Sequence, residues 1–147
     1  MINISQIKQL REETDISITE CKKALEKSGG DIDKAKEILK KWGKVLVEKK
    51  IKREVKQGII DSYIHSNKKI GVLLELNCET DFVAKSKDFQ NLAHELCLQI
   101  AGFEGNSPIL EQSWIRDESK KIKDLIDEYI VKLGENVVLK RFIRYEI

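Results

Sequence analysis

The chain has 147 residues, enough for a core that buries roughly two-thirds of the unfolded surface in one domain or a small pair. Charged residues make up 35 % of it while the formal net charge is only +2, so the surface is densely ionic with balanced signs and gives little support to a nucleic-acid partner. No apolar run approaches the ~20 residues of a membrane span, and Met1-Ile2-Asn3-Ile4-Ser5 lacks the regions of a secretory signal, so a soluble protein without a membrane partner is expected.

The first forty-odd residues read as three short helices. Ile4, Ile7 and Leu10 share one face of the first, which ends near Thr14 and Asp15. Ser17-Ile18-Thr19-Glu20 has capping-box spacing and starts a second, with Ile18, Cys21, Ala24 and Leu25 as its apolar stripe and Ser28-Gly29-Gly30 as its stop. Asp31 caps a third, which presents Ile32, Ala35, Ile38, Leu39 and Trp42 until Gly43 closes it. A module of residues 1–43 with so few large apolar side chains is marginal alone and leaves apolar surface for a partner. Lys44 to Lys56, six basic and two acidic residues with Val47, Ile51 and Val55 at helical spacing, reads as a basic linker helix over 44–57, its charges a solvated face.

From Gly58 the apolar period changes to two. Ile59 to His65 and Ile70 to Leu76 flank Ser66-Asn67-Lys68-Lys69 as a β-hairpin. Ser86 to Ala101 follows as an amphipathic helix with Phe89, Leu92, Ala93, Leu96 and Ile100 on one face. Gly105 to Pro108 mark a loop, a long helix is expected from near Asp117 to Leu133 with Gly134 as its stop, and Val137 to Tyr145 reads as a closing strand. The fold class is α+β: a helical head, then a core over 58–147 in which helices cover one face of a small antiparallel sheet.

Chemistry for catalysis is thin. There is no G-x-x-x-x-G-K-[ST] loop and no G-x-G-x-x-G after a strand, hence no cradle for a nucleotide phosphate. Cys21, Cys78 and Cys97 form no C-x-x-C pair and fit a reducing compartment. His94-Glu95-Leu96-Cys97 lacks a second ligand pair, so no metal site is expected. Cys78 would serve as a nucleophile only if the fold brought it to His65, and Glu75, Glu79 and Asp81 read as solvated carboxylates more than as an acid and base. The one unusual local feature is Phe82 beside Asp81 at the corner where the strand ends and a helix begins. Such an aromatic is either a satellite of its own core or a wedge for a partner.

Several stretches, in order, resemble the elongation factor Ts family: Leu10-Arg11-Glu12-x-Thr14, Cys21-Lys22-Lys23-Ala24-Leu25, Gly30-Asp31, Gly71 through Ala84, Gly134-Glu135-Asn136 and Arg141-Phe142. The resemblance covers nearly the whole chain and implies a head similar to ubiquitin-associated domains and a dimerisation-type core. It implies a guanine-nucleotide exchange factor for elongation factor Tu that performs no covalent chemistry and needs no cofactor or metal. By position it implies that Thr80, Asp81, Phe82 and Val83 intrude beside the partner's magnesium, and that Arg11, Ile18, Thr19 and Lys22 of the head touch its nucleotide-binding domain. Thr19 stands where the family has an apolar contact. The chain resembles the short forms, with one core unit, so a larger interface would require a homodimer. Abundant Lys and Ile suggest an AT-rich genome, which leaves bacterial cytoplasm and plastid both open. A nonenzymatic adaptor for RNA or a ubiquitin-like protein, drawn from the head and basic linker, is the competing reading.

Overall fold

The computed structural model of the protein describes residues 3–147, so Met1 and Ile2 of the amino-terminal segment considered above lie outside the described residues. Backbone contacts divide the chain into a unit up to Lys49 and a second from Lys50 to Ile147.

In the first unit, helix α1 (Ile4–Thr14) opens on a capping box, Asn3 taking the Ser5 N–H while the Gln6 side chain reaches back, and closes on Asp15 at φ 57°. Helix α2 (Ile18–Ser28) opens on Ser17, whose hydroxyl accepts the Glu20 N–H at 3.3 Å, and ends at Gly29 with φ 68°. Asp31 takes the Lys34 N–H at 3.2 Å and starts helix α3 (Ile32–Lys50). Leu10, Cys21, Ala24, Leu25, Ala35 and Leu39 form the core, flanked by Ile7, Ile16, Ile32, Ile38 and Trp42.

Two expectations for this region are corrected. Ile18 is 57 % exposed and does not belong to the buried stripe. It occupies the first position of α2, and because helical side chains tilt toward the N-terminus it projects beyond the end of the packed surface. Gly43 does not end the third helix, which continues to Lys50, and Ile51 to Lys56 are not helical. A glycine costs about 1 kcal/mol inside a helix, which a run of nineteen residues containing good helix formers absorbs. It stops a helix where the chain goes left-handed, as at Gly29, and Gly43 does not.

The second unit is built on strand β1 (Gln57–Ile64) and strand β2 (Ile70–Cys78), paired antiparallel from Gln57↔Cys78 to Ile64↔Gly71. Helices α4 (Asp81–Ala84) and α5 (Lys87–Gly102) follow, then a 3-10 turn (Ile109–Glu111), a small hairpin of β3 (Ser113–Trp114) and β4 (Asp117–Lys121), helix α6 (Ile122–Leu133) and strand β5 (Val138–Glu146). β5 pairs antiparallel with the other edge of β2, giving the order β1-β2-β5 with one bulge opposite Glu75 and Leu76. The α+β class and the small antiparallel sheet carrying helices are as the periodicity predicts.

Along β2 the period-two pattern buries Val72, Leu74, Leu76 and Cys78 on one face. The buried stripe of α5, Phe89, Leu92, Ala93, Leu96, Cys97 and Ile100, covers it, while α6 contributes Ile122, Leu125, Ile126 and Ile130. At about 1.5–3 kcal/mol for each large apolar side chain withdrawn from water, this layer dominates the stability of the unit.

The long helix expected from Asp117 begins instead at Ile122. Asp117-Glu118-Ser119-Lys120-Lys121 offers no apolar face to a helix, and an anchor draws the preceding segment into extended form. Buried Gln99 donates from Nε2 to Gln112 Oε1 (3.1 Å) and to the Ser113 carbonyl (3.0 Å), and its Oε1 accepts the Ile115 N–H (2.9 Å).

Gly58 faces Asn77 so closely that a Cβ there would strike the Leu76 carbonyl oxygen and lie 2.9 Å from Asn77 Cα. Gly58→Ala is therefore expected to lower the unfolding free energy by about 1–3 kcal/mol, measured as a reduced urea midpoint; an unchanged midpoint would contradict the close approach.

Candidate functional site

The carboxyl end of β2 meets α4 at a corner of seven residues, Cys78 to Ala84, where buried and exposed side chains separate sharply. Cys78, Val83 and Ala84 are buried, whereas Thr80, Asp81 and Phe82 are exposed, Phe82 by 86 %. A side chain of that size left in water stands apart from the core, so the satellite reading of Phe82 does not describe this structure.

Thr80 caps α4. Its Oγ1 accepts the Val83 N–H at 3.3 Å, and the hydroxyl donates to Glu135 Oε2 at 2.7 Å. The other Glu135 oxygen accepts two backbone N–H groups, from Glu79 (3.1 Å) and Thr80 (3.0 Å), just beyond the last ladder pair of β2. Glu79 answers in the opposite direction, its Oε2 accepting the Asn136 N–H at 2.6 Å and its Oε1 lying 3.6 Å from Arg53 Nη1. Buried Asn136 donates from Nδ2 to the carbonyls of Arg53 (2.8 Å) and Ile51 (3.4 Å), and Lys50 Nζ donates to the Gly134 carbonyl at 2.7 Å. Gly134, at φ 75°, closes α6 and lets the chain turn directly into this loop. Hydrogen bonds to charged groups contribute about 1.5–3 kcal/mol each, the lower figure applying toward the exposed Thr80 side.

Asp81 lies on the open side, with Oδ2 2.8 Å from Lys85 Nζ one helical turn on, a pair that water screens. Underneath, the Cys78 thiol donates to the Thr80 carbonyl at 3.2 Å. Burial, and after it the Glu135 carboxylate, push that thiol up to about 11. Burial takes Cys97 to about 12 and also raises Cys21. These are inert thiols.

The structure thus brings Thr80, Asp81, Phe82 and Val83 into one turn, with Val83 as its buried foot. Of the head residues, Arg11, Ile18, Thr19 and Lys22 are all exposed and flank the α1–α2 loop; Arg11 is near enough for its charge to lower the Cys21 thiol against the effect of burial. The Cys78 and His65 pairing does not form: they lie at opposite ends of the hairpin, roughly 23 Å apart at ~3.3 Å per residue, and His65 Nδ1 bonds Tyr63 OH at 2.8 Å. The carboxylates are also dispersed. Asn77 and Arg141 hold the Glu75 carboxyl below its ordinary range, and Glu79 is committed to the loop. Among the described residues no group of three or more His, Cys, Asp or Glu could hold a metal ion, and no helix is long and apolar enough to cross a membrane.

Sequence reasoning missed the roles of Glu79, Glu135 and Asn136. The available signal was Gly134-Glu135-Asn136 itself, an acid and an amide between a helix-stopping glycine and a strand.

The family model described as Elongation factor TS matches residues 79–147, a span that starts at this corner. Curated relatives named Elongation factor Ts include one from Coprothermobacter proteolyticus, 42 % identical over 193 aligned residues that cover 99 % of this chain and 98 % of the relative. Those from Thermodesulfovibrio yellowstonii and Thermotoga neapolitana are each 40 % identical, covering 99 % of this chain and 96 % and 97 % of their own lengths. These alignments are longer than the chain itself, so the relatives carry internal residues that it lacks.

Cys78 and Cys97 are expected to resist a thiol reagent at pH 8 in the folded protein and to react within minutes once urea is added; rapid native labelling of Cys78 would mean that the corner opens.

Proposed function

The chain belongs to the elongation factor Ts family, and on that premise we propose that it is a guanine-nucleotide exchange factor that binds elongation factor Tu with GDP and, more tightly, without nucleotide, promoting GDP release without covalent chemistry. The observation carrying this reading is the exposed Phe82 ring on a turn anchored by Glu135, which accepts the Glu79 and Thr80 N–H groups and the Thr80 hydroxyl proton.

By linkage, a protein that prefers the nucleotide-free partner weakens nucleotide binding by the same factor. A shift of about 10⁴ needs roughly 5.5 kcal/mol of differential binding. Burying the Phe82 ring supplies about 1.5–3 kcal/mol. The balance is assigned to Asp81 hydrogen bonds, to contacts of Arg11, Ile18, Thr19 and Lys22, and to lost coordination as the partner's magnesium is displaced, since an ion held by few protein ligands is sensitive to small movements. Ile18 adds exposed apolar area where Thr19 has only a methyl group and a hydroxyl to offer.

A second copy of the chain is the other partner we propose, seated on the exposed sheet face opposite α5. Ile60 and Ile64 of β1, Leu73 of β2, and Ile143 and Tyr145 of β5 share that face by register and are all exposed. Face-to-face packing of two such sheets would bury it.

The direct test is release of a fluorescent GDP analogue from elongation factor Tu by catalytic amounts of the protein; no acceleration by the wild-type chain defeats the reading. Phe82→Ala is expected to slow release severalfold or more with the fold intact, and Asp81→Ala to impair release more than complex formation. Equal losses in both would make Asp81 a docking residue only. Leu73→Glu is expected to convert a dimer to monomer in sedimentation equilibrium, and a wild-type chain that is monomeric at high micromolar concentration rejects the second partner.

A further inference from the structure

A four-residue helix has no stability of its own, because nucleation fixes several residues for a single hydrogen bond. α4 is such a helix, and it carries Phe82. Its pose must be imposed from outside. The buried side chains Val83 and Ala84 seat it against the core, and Ser86, donating its N–H and hydroxyl to the Val83 carbonyl, holds its carboxyl end, which leaves the amino end, from which Phe82 projects, to be fixed by other contacts.

Direction is set by polar contacts, and three of them converge on one carboxylate. Glu135 accepts the Glu79 N–H, the Thr80 N–H and the Thr80 hydroxyl proton. With that proton committed to Glu135, a Thr80 lone pair is left for the Val83 N–H, so one carboxylate both ends the strand and orients the cap of the helix. Glu135 reaches Thr80 from 55 residues away in sequence and is itself held in place, between Gly134, bonded by Lys50, and Asn136, bonded by Glu79. The Phe82 ring stays free in water.

We propose that Glu135 is a positioning residue for nucleotide release: through the Glu79 and Thr80 backbone and the Thr80 hydroxyl it holds the turn in the one orientation that presents Phe82. This rests on the exchange reading above. A ring already aimed loses little freedom on docking, whereas the same ring on a loose turn must be ordered first, and the ordering cost is subtracted from what burial supplies.

The test uses the full chain in two arms. In the free protein, amide hydrogen exchange at Glu79, Thr80 and Val83 is expected to accelerate at least tenfold in Glu135→Ala while that at Leu74 in the middle of β2 keeps its wild-type rate. With elongation factor Tu, Glu135→Ala is expected to lower the maximal rate of GDP release about tenfold, Glu135→Gln to restore part of it, and Glu135→Ala to add almost nothing in a Phe82→Ala background. A wild-type maximal rate in Glu135→Ala, unchanged amide exchange at the corner, or fully additive losses in the double variant would each overturn the proposal. Should alanine at 135 prevent folding, Thr80→Val, which exchanges the hydroxyl for a methyl group, carries the test: lost protection at the Val83 amide with release slowed severalfold supports it, and wild-type behaviour overturns it. If the wild-type chain releases no nucleotide, the exchange reading falls by itself, and the amide arm still decides whether Glu135 sets the turn.

Discussion

The core unit depends on an exchange of carboxylates between two stretches of backbone. Glu135 closes the end of β2, and Glu79, from that same strand end, closes the loop that carries Glu135. Each acid satisfies donors that the sheet ladder cannot reach, the Glu79 and Thr80 N–H groups at the end of β2 and the Asn136 N–H ahead of β5. Removing either acid would strand its donors and also loosen the support of the other. The arrangement joins three parts of the chain, residues 50–53, 78–84 and 134–136, at the rim of a sheet whose apolar layer lies only a few residues away.

Division of labour follows from that layout. Apolar burial by β2, α5 and α6 makes the unit stable, and the polar rim decides what stands on top of it. Phe82 therefore need not contribute to the monomer's stability, and the core is free to be rigid because nothing in it has to move for the ring to be accessible. The inert thiols fit the same pattern: Cys78 is a small buried side chain with one weak hydrogen bond, useful as packing beneath the turn.

Much of this was legible in the sequence wherever one physical rule decided the outcome. Alternation marked the β1–β2 hairpin, helical spacing marked α5, and the caps at Ser17 and Asp31 marked where helices begin. Failures came where two rules competed. Gly43 signals a stop, yet the residues around it favour helix; Ile18 has the spacing of a core residue but sits past the packed surface. The β3–β4 hairpin was hidden because Gln99, a polar residue inside an apolar stripe, organises it from a distance. Likewise the motif around Phe82 was visible as a string of letters, but its partner lies more than fifty positions downstream, and no local pattern announces which backbone donors a given acid will reach.

Because the latch closes a loop of that length, readiness and completeness are tied together. A half-made or half-unfolded molecule, with β5 not yet zipped onto β2, has nothing to place Glu135 against the strand end, and its aromatic side chain would hang from a floppy connection. Such a molecule would still display grease, but without aim. Only a finished core can point.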